Sequence, residues 1–156
     1  MSTGLVWSFV PQPIKVRLRN PHAEIKETLK PASDDLVSAY LRWSGGREEN
    51  YAGTLPAHFF SHYGMRMVAK LASLAPCNML SVVNQGCRFR IAEDLPRGEA
   101  LELTGRFVDC REENGRMRVH TRVHVRGVNG RGEMTCLLYT SPSPRDLSTS
   151  RMPSSA

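Results

Sequence analysis

The sequence has little cysteine and lacks any long apolar run. Its 156 residues include 4 cysteines, and no two of them stand in a Cys-x-x-Cys pair, so the sequence indicates neither a disulfide framework nor a zinc site. No apolar run is as long as a membrane-spanning segment. The N-terminal segment Met1–Val10 also lacks the charged and then apolar layout of a signal peptide. We therefore expect a reduced, cytoplasmic protein with no membrane span.

The sequence also contains few acidic and few aromatic residues. The chain has 15 Asp and Glu against 21 Lys and Arg, a formal net charge of +6, and aromatic residues make up 7% of it. A mild basic excess suits a phosphate-bearing ligand or an acidic partner. Basic residues on strands without a series of aromatic stacking residues are not typical of nucleic-acid-binding proteins, so we expect no nucleic-acid partner.

The last segment of the chain, Cys136–Ala156, contains two strings that resemble known artificial sequences. CLLYTSPSPRD resembles the conceptual translation of a transposon-end sequencing adapter, and SRMPSSA resembles the flow-cell primer beyond such an adapter. A natural disordered tail rich in serine and proline is the alternative. We interpret residues 136–156 as an artefactual, disordered tail, and residues 1–135 as a single domain that is truncated in its last strand.

The most apolar segment is Leu55–Ala75, and it predicts one long buried helix. Pro56 near its start and Pro76 just after its end are typical punctuation of a helix. Ahead of it, Glu24–Leu29 alternates like a strand. Ser33 is the predicted N-cap of a shorter helix, which Ser44-Gly45-Gly46 is predicted to end. The large apolar residues of the long helix recur at steps of three and four residues, as on a wide buried face; they are Phe59, Phe60, Tyr63, Met67, Val68, Leu71 and Leu74.

The rest of the chain, from Met79 on, predicts antiparallel strands. Met79–Ile91 reads as a strand with a bulge at Gly86, and Ala100–Val108 alternates apolar and polar residues. In Arg116–Arg126 apolar side chains occupy every second position, so the arginines and histidines between them face the other side. These segments predict an α+β fold in which an antiparallel sheet of about five strands wraps around the central helix.

Two stretches of the sequence resemble the MaoC-like acyl dehydratases and (R)-specific enoyl-thioester hydratases of the hotdog superfamily. The first is Ala39-Tyr40 with Ser44-Gly45, which leads into the central helix. The second runs from Arg88-Phe89-Arg90-Ile91 through Leu95-Pro96-Arg97-Gly98-Glu99-Ala100-Leu101 and is similar to the family's passage of strand, P-v-x-x-G-D-x-L and strand. The resemblance implies a hotdog fold and, as ligand, an acyl thioester of coenzyme A (acyl-CoA) or of acyl carrier protein. No motif of the sequence requires a cofactor. A sheet of this kind has open edges and a half-covered core, so we expect a homodimer or a second hotdog domain as the partner.

The loop before the central helix departs from the family's pattern. In the family this loop reads Ser-Gly-Asp-x-Asn-Pro-x-His, and its Asp and His act on the water that is added across the C2–C3 double bond. Aligned on Ser44-Gly45, the Asp position holds Gly46, the Asn and Pro positions hold Glu48 and Glu49, and the His position holds Tyr51. The resemblance therefore implies the substrate class, while both catalytic groups are missing from the family's positions.

His58 and His62 are the candidate replacements for these catalytic groups. They stand four residues apart, so they share a face of the helix near its N-terminus. One of them would be a general base, with Glu48 or Glu49 as the carboxylate that orients it. The alternative is two polar residues on an exposed edge or at a dimer seam. A metal site is not expected, because no third ligand accompanies the two histidines.

Further candidates are expected to contact the substrate. Asn50 and Tyr51 precede the helix and would hydrogen-bond a thioester or a water, unless they are ordinary loop residues. Asn84 and Gly86 lie within a strand, where they would line the acyl pocket or form a bulge. Arg88, in the second matched stretch, is a substrate-binding candidate.

These residues leave three functions open. The first is hydration or dehydration of 2-enoyl and 3-hydroxyacyl chains. The second is a hotdog acyl thioesterase, which needs a placed carboxylate instead of the Asp and His pair. The third is a non-catalytic acyl-binding hotdog partner, which the altered loop favours. The arginines and histidines of Arg116–Arg126 are either a solvated sheet face or a docking surface for coenzyme A phosphates or an acidic carrier protein.

Overall fold

The computed structural model describes residues 14–15, 23–74, 82–113 and 116–142. No helix among these residues is both long and apolar enough to cross a membrane. The elements in chain order are β1 (Ile14–Lys15), β2 (Glu24–Leu29), α1 (Asp34–Ser44), a 3-10 turn (Glu48–Tyr51), a second 3-10 turn (Ala57–Phe59), α2 (Phe60–Leu74), β3 (Val82–Glu93), β4 (Leu101–Glu113), β5 (Arg116–Gly127) and β6 (Glu133–Pro142).

The strands form one antiparallel sheet in the order β1-β4-β5-β6-β3, and β2 also pairs with β4. Strands β1 and β2 lie along the same edge of β4, because Ile14 is opposite Glu112 while Ile25 is opposite Gly105. The sheet is therefore five strand positions wide. This width confirms the predicted sheet of about five strands.

Helix α2 packs against the inner face of this sheet, as predicted for the long apolar segment. Its large buried side chains are Phe60, Tyr63, Met67, Val68 and Leu71. The sheet buries alternate residues of its central strands against them, which are Leu101, Leu103, Phe107, Val119, Val123, Val125, Met134, Cys136 and Leu138. Removing this apolar surface from water is the main force that holds helix and sheet together.

Helix α1 begins and ends where the sequence predicts. The Ser33 side chain accepts a hydrogen bond from the Leu36 N–H at 3.3 Å, which satisfies one of the free amides of the first turn. Gly45 follows the last turn with a φ of +76°, a backbone conformation that glycine adopts without steric cost. The Arg97 Nε donates to Asp34 Oδ1 at 2.7 Å, so an ion pair connects this helix to the turn before β4.

The long helix starts later than the sequence predicts, at Phe60 instead of Leu55. The Leu55 N–H donates to the Leu95 carbonyl at 2.8 Å, and Thr54 forms an isolated bridge with Pro96. These long-range bonds hold the chain extended until Pro56, and a single 3-10 turn then leads into the helix. The predicted helix end at Ala75 lies outside the described residues.

The last strand continues past Thr135, where the sequence analysis places the end of the domain. Strand β6 runs to Pro142 and pairs with both β5 and β3. Cys136 and Leu138 are buried in the core, since their alternation matches the inner face of the sheet. Residues 136–142 are therefore part of the sheet in this structure. The artificial origin of residues 136–156 stays a prediction.

Candidate functional site

His58 lies in the 3-10 turn that leads into α2, among three polar side chains of the preceding elements. The Tyr40 hydroxyl donates to the His58 carbonyl at 2.9 Å, and the Ser44 hydroxyl lies 3.4 Å from His58 Nε2. The Tyr51 ring meets the imidazole edge-on, with 6.5 Å between ring centroids. The imidazole itself is exposed. We call Tyr40, Ser44, Tyr51 and His58 the His58 cluster.

The two glutamates predicted to orient a histidine lie in the first 3-10 turn. Glu48 Oε1 is 3.4 Å from an Arg42 guanidinium nitrogen, and Glu49 lines an open surface depression together with Asn50 and Arg47. Among the described residues the side-chain partner of the His58 imidazole is a serine hydroxyl and not a carboxylate. The structure thus brings Tyr51 to His58, while the role of either glutamate stays a prediction.

His62 lies on α2, and its ring stacks on Phe59 with 5.0 Å between centroids. Both rings line a groove of about 330 Å³ between α2 and the segment that joins β2 to α1. We call this the α2 groove. Its apolar lining is Leu29, Pro31, Ala32, Leu36, Leu55, Phe59, Tyr63 and Leu101, and its polar lining is Lys30, Ser33, His62 and Arg66.

The α2 groove has the character of a small-molecule site. A volume near 300 Å³ and a mostly apolar wall with a few polar groups are typical of ligand pockets. Arg66 is held on one side by Glu27, 3.2 Å away, while Ser33 is engaged as the helix cap. His62 is the histidine in the lining of the groove, and His58 is not among the lining residues.

The three candidates on β3 take different positions. The Asn84 Oδ1 accepts a hydrogen bond from the Gly86 N–H at 3.0 Å, and the register of β3 shifts between these two residues. The predicted bulge is thus confirmed, and Asn84 satisfies its amide. Arg88 is exposed and opposite Leu137, while its neighbour Phe89 packs on Phe60 of α2. Because successive side chains alternate, Arg88 faces away from the α2 groove.

Two buried groups in the core between α2 and the sheet hold their protons tightly. Burial, with a smaller effect of the nearby Cys136, raises the pKa of the Tyr63 phenol far above its usual range. Burial, followed by the neighbouring Cys87, raises the pKa of the Cys136 thiol to about 12. Both groups are therefore neutral and unreactive near neutral pH. No group of three or more His, Cys, Asp or Glu side chains able to hold a metal ion occurs in the described ranges.

Sequence reasoning found the two histidines but missed the α2 groove. Its walls come from segments far apart in the chain, such as Leu29, Phe59 and Leu101. No local motif joins these residues. The signal that was available is the short motif around Tyr40 and Ser44, whose side chains do reach His58.

Comparison with known proteins gives matches at the level of structure. No protein-family model matches the sequence, and no curated protein matches it. A chain of the C-terminally truncated HadBC (3R-hydroxyacyl-ACP dehydratase) complex from Mycobacterium tuberculosis superimposes with a TM-score of 0.66 at 13% identity, over 82% of this chain and 99% of that chain.

Two further structures agree. A hot-dog-like protein from Thermanaerovibrio acidaminovorans matches with a TM-score of 0.55 at 14% identity, over 84% of this chain and 88% of its own. The (R)-hydratase of A. caviae involved in PHA biosynthesis matches with a TM-score of 0.54 at 8% identity, over 76% of this chain and 93% of that chain. At such low identity the likeness establishes the fold, which is the predicted hotdog fold.

Proposed function

We propose that this chain binds acyl thioesters in the α2 groove and interconverts 2-enoyl and 3-hydroxyacyl chains by adding or removing water. The observation that carries the proposal is the groove itself, which has a volume of about 330 Å³, is lined mostly by apolar residues and has the His62 imidazole in its wall. The likeness of the fold to a dehydratase and to a hydratase supports the reaction class.

The chemistry assigns His62 as the first candidate for the general base. In hydration, a neutral imidazole accepts a proton from water while the water oxygen bonds to C3 and the C2–C3 electron pair moves toward the thioester carbonyl. The imidazolium then gives this proton to C2 of the resulting enolate, which restores the thioester and the neutral imidazole and leaves the 3-hydroxyacyl product. A backbone N–H at the start of the 3-10 turn that leads into α2 is the donor proposed for the thioester oxygen, because the Phe60 N–H already donates to carbonyls of that turn.

His58 is the second candidate for the base. Its Nε2 contacts the Ser44 hydroxyl, and the Tyr40 hydroxyl holds its backbone. Because the His58 cluster lies beside the α2 groove through Phe59 and Tyr40, whose rings are 4.9 Å apart, a substrate that extends past Phe59 would meet it. The rim residues Lys30 and Arg66 suit the anionic end of coenzyme A or a carrier protein.

The test is enoyl-thioester hydration by the full chain, followed as loss of enoyl absorbance. Trans-2-enoyl thioesters of coenzyme A with short, medium and long chains serve as substrates for wild type, His62→Gln and His58→Gln. His120→Gln, on the other face of the sheet, is the matched control. We expect His62→Gln to lower kcat by about 100-fold or more, and the control to keep wild-type activity.

Two outcomes would contradict the assignment. Equal activity of His62→Gln and wild type moves the base to His58, and activity that survives both substitutions removes both histidines from the mechanism. A folded wild type that binds the thioester without turnover refutes the hydratase proposal.

A second candidate function predicts this last outcome. In it the chain is an acyl-binding hotdog subunit without catalysis of its own. It is favoured by the lack of any Asp or Glu among the described residues that line the α2 groove. Strand β3 ends the sheet order, so its outer edge is the proposed contact for a second hotdog, either another copy or a different chain. Light scattering after size exclusion tests whether the second hotdog is another copy of this chain.

A further inference from the structure

A second depression lies on the face of the sheet opposite α2. It has a volume of about 280 Å³ and is lined by Glu24, Thr104, Arg106, Arg122, His124 and Thr135. Five of these residues alternate with buried ones on their strands, and Glu24 alternates with half-buried ones, so all six lie on the outer face. The α2 groove and the His58 cluster share none of them. We call this depression the outer-face site.

Strand register brings the basic residues of the outer-face site together. Arg106 of β4 is directly opposite Arg122 of β5. His124 is opposite Thr104 on one side and Thr135 on the other. Directly opposed like charges destabilise a pair of antiparallel strands. Two guanidinium groups and two hydroxyls surround this one depression. A bound anion offsets the repulsion between the two guanidinium groups.

Neither arginine has an acidic partner among the described residues. Arg122 Nε is buried and makes no hydrogen bond. The one carboxylate in the lining, Glu24, lies 3.0 Å from the Lys26 ammonium, and His124 Nε2 lies 3.1 Å from Glu133 Oε1. Glu24 is opposite Arg106 in the register, but its carboxylate pairs with Lys26. Neither guanidinium group therefore has an ion-pair partner among the described residues.

An arginine nearby in the same stripe shows the ordinary arrangement. Arg126, on the same face of β5, places its guanidinium 2.7 Å from Glu102 of β4. A carboxylate thus stands opposite Arg126, whereas a second arginine stands opposite Arg122. Arg88 adds a further positive charge in the same row, beyond Leu137. On the other side of Arg106 the row ends at Glu24 of β2, so three arginines share this row with one carboxylate.

We propose that the outer-face site binds a phosphate group, held by the guanidinium groups of Arg106 and Arg122 and by the hydroxyls of Thr104 and Thr135. Guanidinium groups bind phosphate oxygens through paired, charge-assisted hydrogen bonds. The site is independent of the proposed hydratase function, because it lies across the sheet from the α2 groove. The phosphate is either free or part of a small nucleotide such as the adenosine bisphosphate half of coenzyme A.

The experiment measures binding of two probes to the full chain by calorimetry and by thermal shift. The probes are inorganic phosphate and adenosine 3′,5′-bisphosphate, with sodium chloride at matched ionic strength as the salt control. The variants are Arg106→Gln and Arg122→Gln. Arg131→Gln is the matched control. It removes the same charge from the turn between β5 and β6, where Arg131 pairs with Glu99.

We expect saturable phosphate binding that raises Tm by mass action and weakens roughly tenfold or more in each site variant. Arg131→Gln should bind like wild type. Tighter binding of the bisphosphate identifies the nucleotide as the source, and equal binding identifies free phosphate.

Three results overturn the proposal: no saturable binding by wild type, a Tm rise that chloride reproduces, or an equal loss in Arg131→Gln. Circular dichroism checks the fold of each variant. Arg106 is exposed, so Arg106→Gln decides the question should Arg122→Gln fail to fold.

Discussion

Replacing Gly105 by alanine tests how closely α2 lies on the sheet. Gly105 is in the middle of β4, opposite Ile25 of β2 and Val123 of β5. A Cβ built there would lie 2.7 Å from both Cγ and Sδ of Met67 and 3.0 Å from Leu71 Cδ1. Ordinary carbon contacts are about 3.5–4.0 Å. The substitution therefore forces helix and strand apart or pushes Met67 out of its place.

The magnitude follows from two opposing effects. Alanine in a strand is favoured over glycine by about 0.5–1 kcal/mol, because the unfolded chain has less freedom to lose. Overpacking a buried site costs about 1–3 kcal/mol. Met67 and Leu71 are both fully buried, so they have little room to move and the cost should prevail. We expect Gly105→Ala to lower the free energy of unfolding by roughly 1–2 kcal/mol.

The assay is urea unfolding followed by far-ultraviolet circular dichroism. With a slope of about 2 kcal/mol per molar urea, the midpoint should fall by roughly 0.5–1 M. Gly53→Ala is the matched control, since a Cβ at Gly53 meets nothing within 4 Å. Its free energy of unfolding should stay within about 0.5 kcal/mol of wild type.

A double-mutant cycle with Met67→Ala isolates the contact. Met67→Ala alone should cost about 2–5 kcal/mol, and it opens the space that the new methyl group needs. Gly105→Ala should then be neutral or stabilising in the Met67→Ala background. A midpoint for Gly105→Ala at or above that of wild type, or a loss of the same size in both backgrounds, would refute the close packing described here.

Two further predictions concern charged and titrating groups. The Glu27 side chain is 14% exposed and pairs with Arg66 and Lys70 of α2. Glu27→Gln should lower the free energy of unfolding by about 1 kcal/mol at low salt and by less at high salt, because both partners are partly solvated. An effect no larger than that of Glu24→Gln on β2 would contradict this. The pKa of Cys136 is raised from 9.0 to about 12 in the folded state, so the folded protein binds this proton more tightly and loses stability as pH rises from about 9 to 12. Cys136→Ala should flatten that part of the stability profile, and an unchanged profile would contradict the burial of this thiol.

Local sequence patterns were enough for most of the secondary structure. The alternation in Arg116–Arg126 predicted which side of β5 is buried, and Val119, Val123 and Val125 are indeed in the core. Ser33 and Gly45 marked the two ends of α1. These features depend on contacts within one turn of a helix or between neighbouring residues of a strand, so the sequence alone carries them.

The start of α2 was predicted less well, for a reason that no local pattern contains. Apolar spacing supports a helix from Leu55, but the backbone of Leu55 bonds to Leu95, far along the chain. The sequence also could not show the contacts of Glu48. Its position in a motif predicts that it orients a histidine, which stays a prediction, and in the fold its side chain lies against Arg42.

The elements could be predicted from the sequence, because the periods of apolar residues are read directly from the chain, and the resemblance to a known family implied the hotdog fold. The two candidate binding sites depend on tertiary packing. The α2 groove requires Leu29, Phe59 and Leu101 to meet, and the outer-face site requires Arg106 to stand opposite Arg122. Strand register and helix placement set both, and these are properties of the packed chain as a whole.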